Sequence, residues 1–251
     1  MDKLILTGIV LFSIMLCSPV NNSIENNLEK GLVAYYSFNE CDARDDSGNG
    51  SDGNMFGSIG CWCGIEDDGL IFDGKREFIE FQGIVNQYFT TSDFTVSFYF
   101  KSNQYSVLKQ SLLSKRENCE EYNALDFRFD QNFNVIETDF NESPMKDYGD
   151  ISPATGGGGW KHFALVRKGI KAYTYINGVL IREGRRCSGV DISNDALLSF
   201  SNSPCIMEGG ATRFKGILDE LKVYDRALTE LEISNLYLLH PVEKAEQDCV
   251  T

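Results

Sequence analysis

Histidine is nearly missing from this 251-residue sequence: His162 and His240 are the only two. They lie too far apart for the H-E-x-x-H helix of a zinc protease. His240 stands beside Pro241 at the end of a helical pattern, where an imidazolium favours the helix dipole. No G-x-S-x-G is present, which excludes the nucleophile elbow of an α/β-hydrolase. The glycines at Gly156–Gly159 are followed by neither Lys-Ser nor Lys-Thr, and a strand pattern rather than a helix comes next. They read as a flexible loop, not a phosphate cradle. Basic residues are in deficit, 23 against 37 acidic, for a net charge of −14. That argues against nucleic acid or an anionic membrane surface as partner and is compatible with cations or neutral glycans.

Long apolar runs are also lacking. The longest, Leu4 to Leu16 after Met1-Asp2-Lys3, falls short of the roughly 20 residues that span a bilayer. It reads as the core of a signal peptide over residues 1–20, without a clean small-x-small cleavage pattern. The mature protein is then expected to be secreted or held at the cell surface, with no membrane insertion of its own. Cys17 opens a lipoprotein alternative, although Leu16 stands where that signal wants a small side chain. No linker or internal repeat divides the chain, which is organised as a polar lead-in (21–30), one domain (31–240) and a tail (241–251).

What is present is strand. Trp160–Leu180 reads as a hairpin: the apolar run Phe163–Val166 is covered on both faces, Lys168-Gly169 turns, and Tyr173–Ile176 returns. Asn177-Gly178 then supplies a type I′ turn, which needs positive φ at both central residues. Further strands are expected at Gly31–Phe38, Gly69–Gly74, Glu77–Phe81, Phe94–Lys101, Ser111–Lys115, Ala124–Asp130, Asn134–Phe140, Leu197–Phe200 and Phe214–Tyr224. In Phe94–Lys101, Phe94, Val96, Phe98 and Phe100 share one face of a half-buried strand. Asn39–Gly60 and Asn141–Gly159 read as long polar loops. One helix is expected, capped by Thr229 with Glu232 closing a capping box, its apolar side Leu231, Leu236 and Leu239, and stopped by Pro241. Many strands with Gly- and Asn-rich turns define an all-β antiparallel sandwich.

Four blocks, in order, resemble laminin-G-like domains of the concanavalin A-like lectin/glucanase superfamily. They are Leu32–Asn39 with Asp46-Ser47-Gly48-Asn49-Gly50, then Asp93–Phe98, then the Trp160–Leu180 hairpin, then Phe214–Leu221 running into Val223–Leu228. The resemblance spans roughly residues 30–240. It implies a two-sheet jelly roll and a structural role for His162. It also implies a structural calcium ion on Asp219, with Asn39, Asp46, Gly48 and Asn49 as the remaining ligands. Those are hard oxygen donors of the kind calcium takes. Alternation places Asp219 among Ile217, Leu221 and Val223, and a buried charge there needs a cation or hydrogen bonds, so pairing with a backbone turn or an arginine is the alternative.

Eight cysteines fit an exported, disulfide-bonded protein. Zinc is the alternative, but Cys61-Trp62-Cys63 has the wrong spacing for a finger. Proximity leads us to expect Cys187–Cys205 and a bond from Cys41 to Cys61 or Cys63; sequence does not fix connectivity.

Glu137-Thr138-Asp139-Phe140-Asn141-Glu142 matches the E-x-D-x-x-E of laminarinase-type glycoside hydrolases, in which one carboxylate attacks and another acts as acid/base. Against it, Thr138 replaces an aliphatic residue, and a strand end running into an acidic loop explains the same letters. Four aromatics fall in polar stretches, Trp62, Tyr105, Tyr122 and Tyr148, and are candidates to stack on a sugar. The expected function is a non-catalytic recognition domain that binds a glycan or an extracellular protein at the sandwich rim. A hydrolase using Glu137, Asp139 and Glu142, or a structural or adhesive surface domain without small ligand, are the alternatives.

Overall fold

The computed structural model describes residues 27–245 except 104, 121, 157 and 185–188. The signal peptide, Cys17, Cys187 and Cys249 lie outside the described residues. Among the described residues fifteen strands form two antiparallel sheets. They are β1 (Leu32–Tyr36), β2 (Gly53–Phe56), β3 (Gly60–Cys63), β4 (Asp68–Asp73), β5 (Phe78–Phe81), β6 (Phe94–Ser102), β7 (Gln110–Lys115), β8 (Ala124–Asp130), β9 (Val135–Ser143), β10 (Lys146–Ile151), β11 (Lys161–Lys168), β12 (Lys171–Ile176), β13 (Val179–Glu183), β14 (Ser199–Phe200) and β15 (Lys215–Tyr224). One sheet runs β13-β12-β11-β6-β15-β4-β3, with β1 also paired to β15; the other runs β10-β9-β8-β7-β14-β5-β2.

The inward faces meet in an aromatic core. Phe98 packs on Phe163 with ring centroids 5.3 Å apart, and Phe200 lies 5.2 Å from Phe72 and 5.3 Å from Phe214. β6 supplies Phe94, Val96, Phe98 and Phe100 to it, as alternation requires. The opposite face of β6, expected to be solvated, is buried too. Helix α1 (Glu230–Leu239) covers it, its Ile233 and Leu236 packed with Tyr224, Ala164 and Val166 of the sheet. The apolar side of α1 therefore differs from the expected one: Leu231 is 70% exposed and Leu239 41%. Its N-terminus forms as the sequence requires, with Thr229 Oγ1 accepting from the Glu232 N–H and the Glu232 carboxylate accepting from the Thr229 N–H.

The hairpin at the centre of the sequence is also central in its sheet. β11 lies between β12 and β6, and Asn177 and Gly178 have φ of 50° and 72°. Two segments expected as loops contain strands. β2 and the start of β3 lie within 39–60, and β9 continues to Ser143 before β10 pairs back along it. The β2 residues pair along β5 at a sheet edge, where tertiary pairing rather than propensity makes the strand. β14 shrinks to Ser199–Phe200, and its neighbours on both sides are already paired.

β15 changes partner halfway. Lys215–Leu218 pairs with β4, and Leu221–Tyr224 pairs with β1. Between them the register with β6 shifts, and Glu220 takes φ of 52°. A non-glycine residue in that region costs of order 1–3 kcal/mol and marks a bulge held by its surroundings.

Candidate binding surfaces

The antiparallel order puts the β6–β7 and β8–β9 connections at one end of the sandwich and the β7–β8 connection at the other. At the first end Tyr105 is 72% exposed, Val107 84% and Phe133 70%. The two connections are tied together by Asn132 Nδ2, which donates to the Ser106 carbonyl at 3.0 Å. Tyr105 also lines a recess of about 280 Å³ with Gln110, Thr212, Arg213 and Lys215. Flat apolar rings beside hydroxyl, amide and cationic groups are the ingredients of a sugar or peptide contact. Phe133 escaped the sequence reading; its position between Asn132 and Asn134 in a polar turn was the signal.

The other three aromatics do not join this rim. Tyr122 is exposed, but in the β7–β8 connection at the opposite end. Trp62 is exposed on β3, at the edge of the other sheet. Tyr148, expected in a loop, is on strand β10 and buried against Phe140 with centroids 5.7 Å apart, because its alternation points it inward. It lines a recess with Asp150 and Arg182 rather than standing free in a loop.

Glu137 and Asp139 share the outer face of β9, as period two demands, but each has a cation: Lys109 Nζ lies 2.6 Å from Glu137, and Arg128 pairs with Asp139. Burial raises the Asp139 carboxyl, against the pull of Arg128. Glu142 sits at the bulge between Asn141 and Ser143, where β9 slips register against β10. It is bound by Lys146 at 2.8 Å and accepts from the Asp191 N–H, a pairing that holds it below its ordinary range. The three carboxylates thus serve three separate contacts. His162 is fully buried with Nε2 2.8 Å from Ser97 Oγ, and burial lowers its pKa to about 3, leaving it neutral.

Asp219 fills the gap where β15 changes partner. Its Oδ2 accepts from the N–H groups of Ile65 and Glu66 at 2.7 and 3.3 Å, and Oδ1 accepts from Glu220 N–H at 2.8 Å. Burial and the neighbouring Glu220 raise its pKa well above the ordinary value even so. Asn39 braces the same turn by accepting from Asp68 N–H. Asp46 instead accepts from the Ser37 N–H and hydroxyl, and Asn49 donates to the carbonyls of Leu32 and Val33. Gly48 closes the first loop, its N–H on the Asp45 carbonyl. Of the five expected calcium ligands, Asp219, Asn39 and Asp46 thus accept hydrogen bonds through their oxygens, while Asn49 and Gly48 are held through their N–H groups. At Asp219 three backbone N–H groups reach the two carboxylate oxygens, which is the hydrogen-bonded alternative to a cation.

Among the disulfides, Cys41–Cys61 is present. Cys205 pairs with Cys119, not with Cys187. The reason is spatial. Arg116 holds the Asn118 and Cys119 carbonyls, and Ser203 is bound to Ser111 and Asp126, so the β7–β8 connection folds onto the segment after β14. Cys63 is also disulfide-bonded.

Comparison places this sandwich in a family. The laminin G model described as concanavalin A-like lectin/glucanases superfamily matches residues 75–234, and the chain belongs to that family. No curated protein sequence matches it. Among solved structures it is similar to domain 4 of AbnA, a GH43 extracellular arabinanase from Geobacillus stearothermophilus, in complex with arabinotriose. The TM-score is 0.64 at 21% identity, covering 82% of this chain and 98% of that one. It is also similar to the binding domain of Paraclostridial Mosquitocidal Protein 1, with a TM-score of 0.68 at 18% identity over 84% of this chain. A third is the binding domain of Botulinum Neurotoxin DC in complex with SialylT, at 0.66 and 12% over 84%. The chain spans about half the length of those two toxin domains, 52% of each.

Proposed function

We propose that this chain is a non-catalytic recognition domain that works outside the cytoplasm and binds a glycan or a protein through the rim bearing Tyr105 and Phe133. The observation that carries the reading is the pair of exposed rings on two connections tied by Asn132. Exposed aromatics so placed have no packing role to explain them, and they stand beside Thr212, Arg213 and Lys215. Relatives of known fold, a domain of an arabinanase in complex with arabinotriose and a toxin binding domain in complex with SialylT, support the class of activity but not the ligand. Disulfides Cys41–Cys61 and Cys119–Cys205 support an oxidising compartment. Among the described residues no helix is long and apolar enough to cross a membrane.

The hydrolase alternative draws its support from the E-x-D-x-x-E letters alone, since each of the three acids is already paired with a cation of its own. The calcium expectation rests on the buried carboxylate of Asp219 and on resemblance; in our reading Asp219 is the metal-free anchor of the 64–68 turn.

A glycan array and a surface-protein pull-down, run with wild type and with the Tyr105→Ala/Phe133→Ala double variant, test the rim. We expect a ligand bound by wild type and lost, tenfold or more in affinity, in the variant. Retention of full binding by the variant would place the site elsewhere. Release of reducing sugar from β-glucan by wild type, abolished by Glu137→Gln, would establish the enzyme instead.

A further inference from the structure

On the outer face of the β1/β15 sheet, beside helix α1, lies a groove of about 740 Å³, well within the range of small-molecule sites. It is distant in the topology from the Tyr105 rim and independent of it. Leu28, Leu32, Leu236 and Leu239 form its apolar walls, and Tyr35, Glu220 and Lys222 its polar floor. The floor is a built arrangement. The Tyr35 hydroxyl donates to Glu220 Oε1 at 2.5 Å, and Lys222 Nζ pairs with the other Glu220 oxygen. The same ammonium lies 4.0 Å from the centroid of the Tyr35 ring. The Glu220 carboxylate is brought there by the positive-φ bulge and is itself almost wholly buried. Burial and the Glu220 charge keep the Tyr35 phenol protonated far above its ordinary range, so it remains a donor.

A carboxylate, an aromatic face and apolar walls are what a cation with a hydrocarbon body needs. Here the chain's own Lys222 takes the cation position. Stacking of a sugar is disfavoured, because Lys222 covers the ring face of Tyr35 and Tyr224 is 1% exposed. Charge points the same way. Glu29, Asp46 and Glu220 line the groove against the single ammonium of Lys222, with His240 at its edge. The counter-cation of Asp46, Arg44, is held 3.3 Å away on a side chain that is 61% exposed, and so is weakly bound. We propose that the groove is a binding site for a primary amine carrying a short apolar body, which enters by taking the place of the Lys222 ammonium over Tyr35 and against Glu220.

The test is calorimetric titration of the whole secreted domain, in chelator, with n-hexylammonium and, as a neutral match, n-hexanol. We expect saturable binding of the ammonium at least tenfold tighter than the alcohol. Lys222→Met vacates the cation position and should tighten binding fivefold or more. Glu29→Gln should weaken it two- to threefold, and Leu239→Arg, at an exposed position, should abolish it by filling the groove with a fixed cation. Tyr105→Ala should leave it unchanged, which separates this site from the rim. Equal affinity for alcohol and ammonium, binding unaffected by Leu239→Arg, or no saturable binding by either wild type or Lys222→Met would overturn the proposal.

Discussion

Arg167 is a fully buried guanidinium in β11, a strand read from sequence only by its apolar run. Its Nη1 donates to the Thr90 carbonyl at 2.7 Å and its Nη2 to the Val190 carbonyl at 2.6 Å, with the ring of Phe140 5.9 Å away. One side chain thus ties the approach to β6 to the segment before β14. Arg167→Met keeps the bulk but leaves two buried acceptors without these donors, at an expected cost of about 3 kcal/mol in urea denaturation. Lys115 does comparable work, reaching the carbonyls of Asn194 and Ala196 at 2.8 and 2.7 Å while burial lowers its pKa. Asp219 belongs to this group. Asp219→Asn would turn an amide N–H against backbone N–H groups and should lower Tm by several degrees. Because we assign the carboxylate to the turn, that loss should be the same with calcium and with chelator. A drop in the wild-type Tm on chelation, absent from the variant, would restore the ion.

At the scale of the element, helix α1 carries a pH dependence of its own. Burial pushes the Glu232 carboxyl up, but Arg226 and the Thr229 cap pull it further down, from the ordinary 4.5 to about 2. A carboxylate with a depressed folded pKa contributes stability above its unfolded pKa and loses it as pH falls through the folded one. The stability should therefore decline between pH 4.5 and 2. With the side chain near solvent we expect about 1 kcal/mol, screened well below the bare shift. Glu232→Gln should flatten the stability profile between pH 5 and 3; an unchanged slope would show that the cap is idle. The cap was legible because Thr-x-x-Glu is a local motif, whereas the buried side of the helix was not. Which of Leu231, Ile233, Leu236 and Leu239 turns inward depends on how α1 lies on the sheet, and only Ile233 and Leu236 meet it. The same division holds among the strands. β6, β8 and β15 announce themselves by their own residues. β2 and β10 are short and polar and exist because β5 and β9 offer free edges. Of the site residues, Tyr105 was legible as an aromatic in a polar stretch, while Tyr148 was misplaced by the missing β10 and Glu220 carried no signal of its backbone.

For the whole molecule, Cys119–Cys205 clips the β7–β8 connection to the segment after β14 across 86 residues of sequence. Closing a loop of that length constrains the unfolded chain, and its removal is expected to cost about 2–5 kcal/mol. The Cys119→Ser/Cys205→Ser pair should unfold at lower denaturant with little change in spectrum. Peptide mapping of the wild type without reductant should recover Cys119 linked to Cys205, and a Cys187–Cys205 peptide would refute the pairing.

The exchange of partners along β15 has a kinetic meaning. β15 is the neighbour that β1, β4 and β6 share, yet it is synthesised after every other described strand. Until it arrives, β1 has no strand to pair with and β6 has one side open. Contacts of such long sequence separation are slow to form, so folding in milliseconds to seconds, late and nearly all at once, is the expected regime.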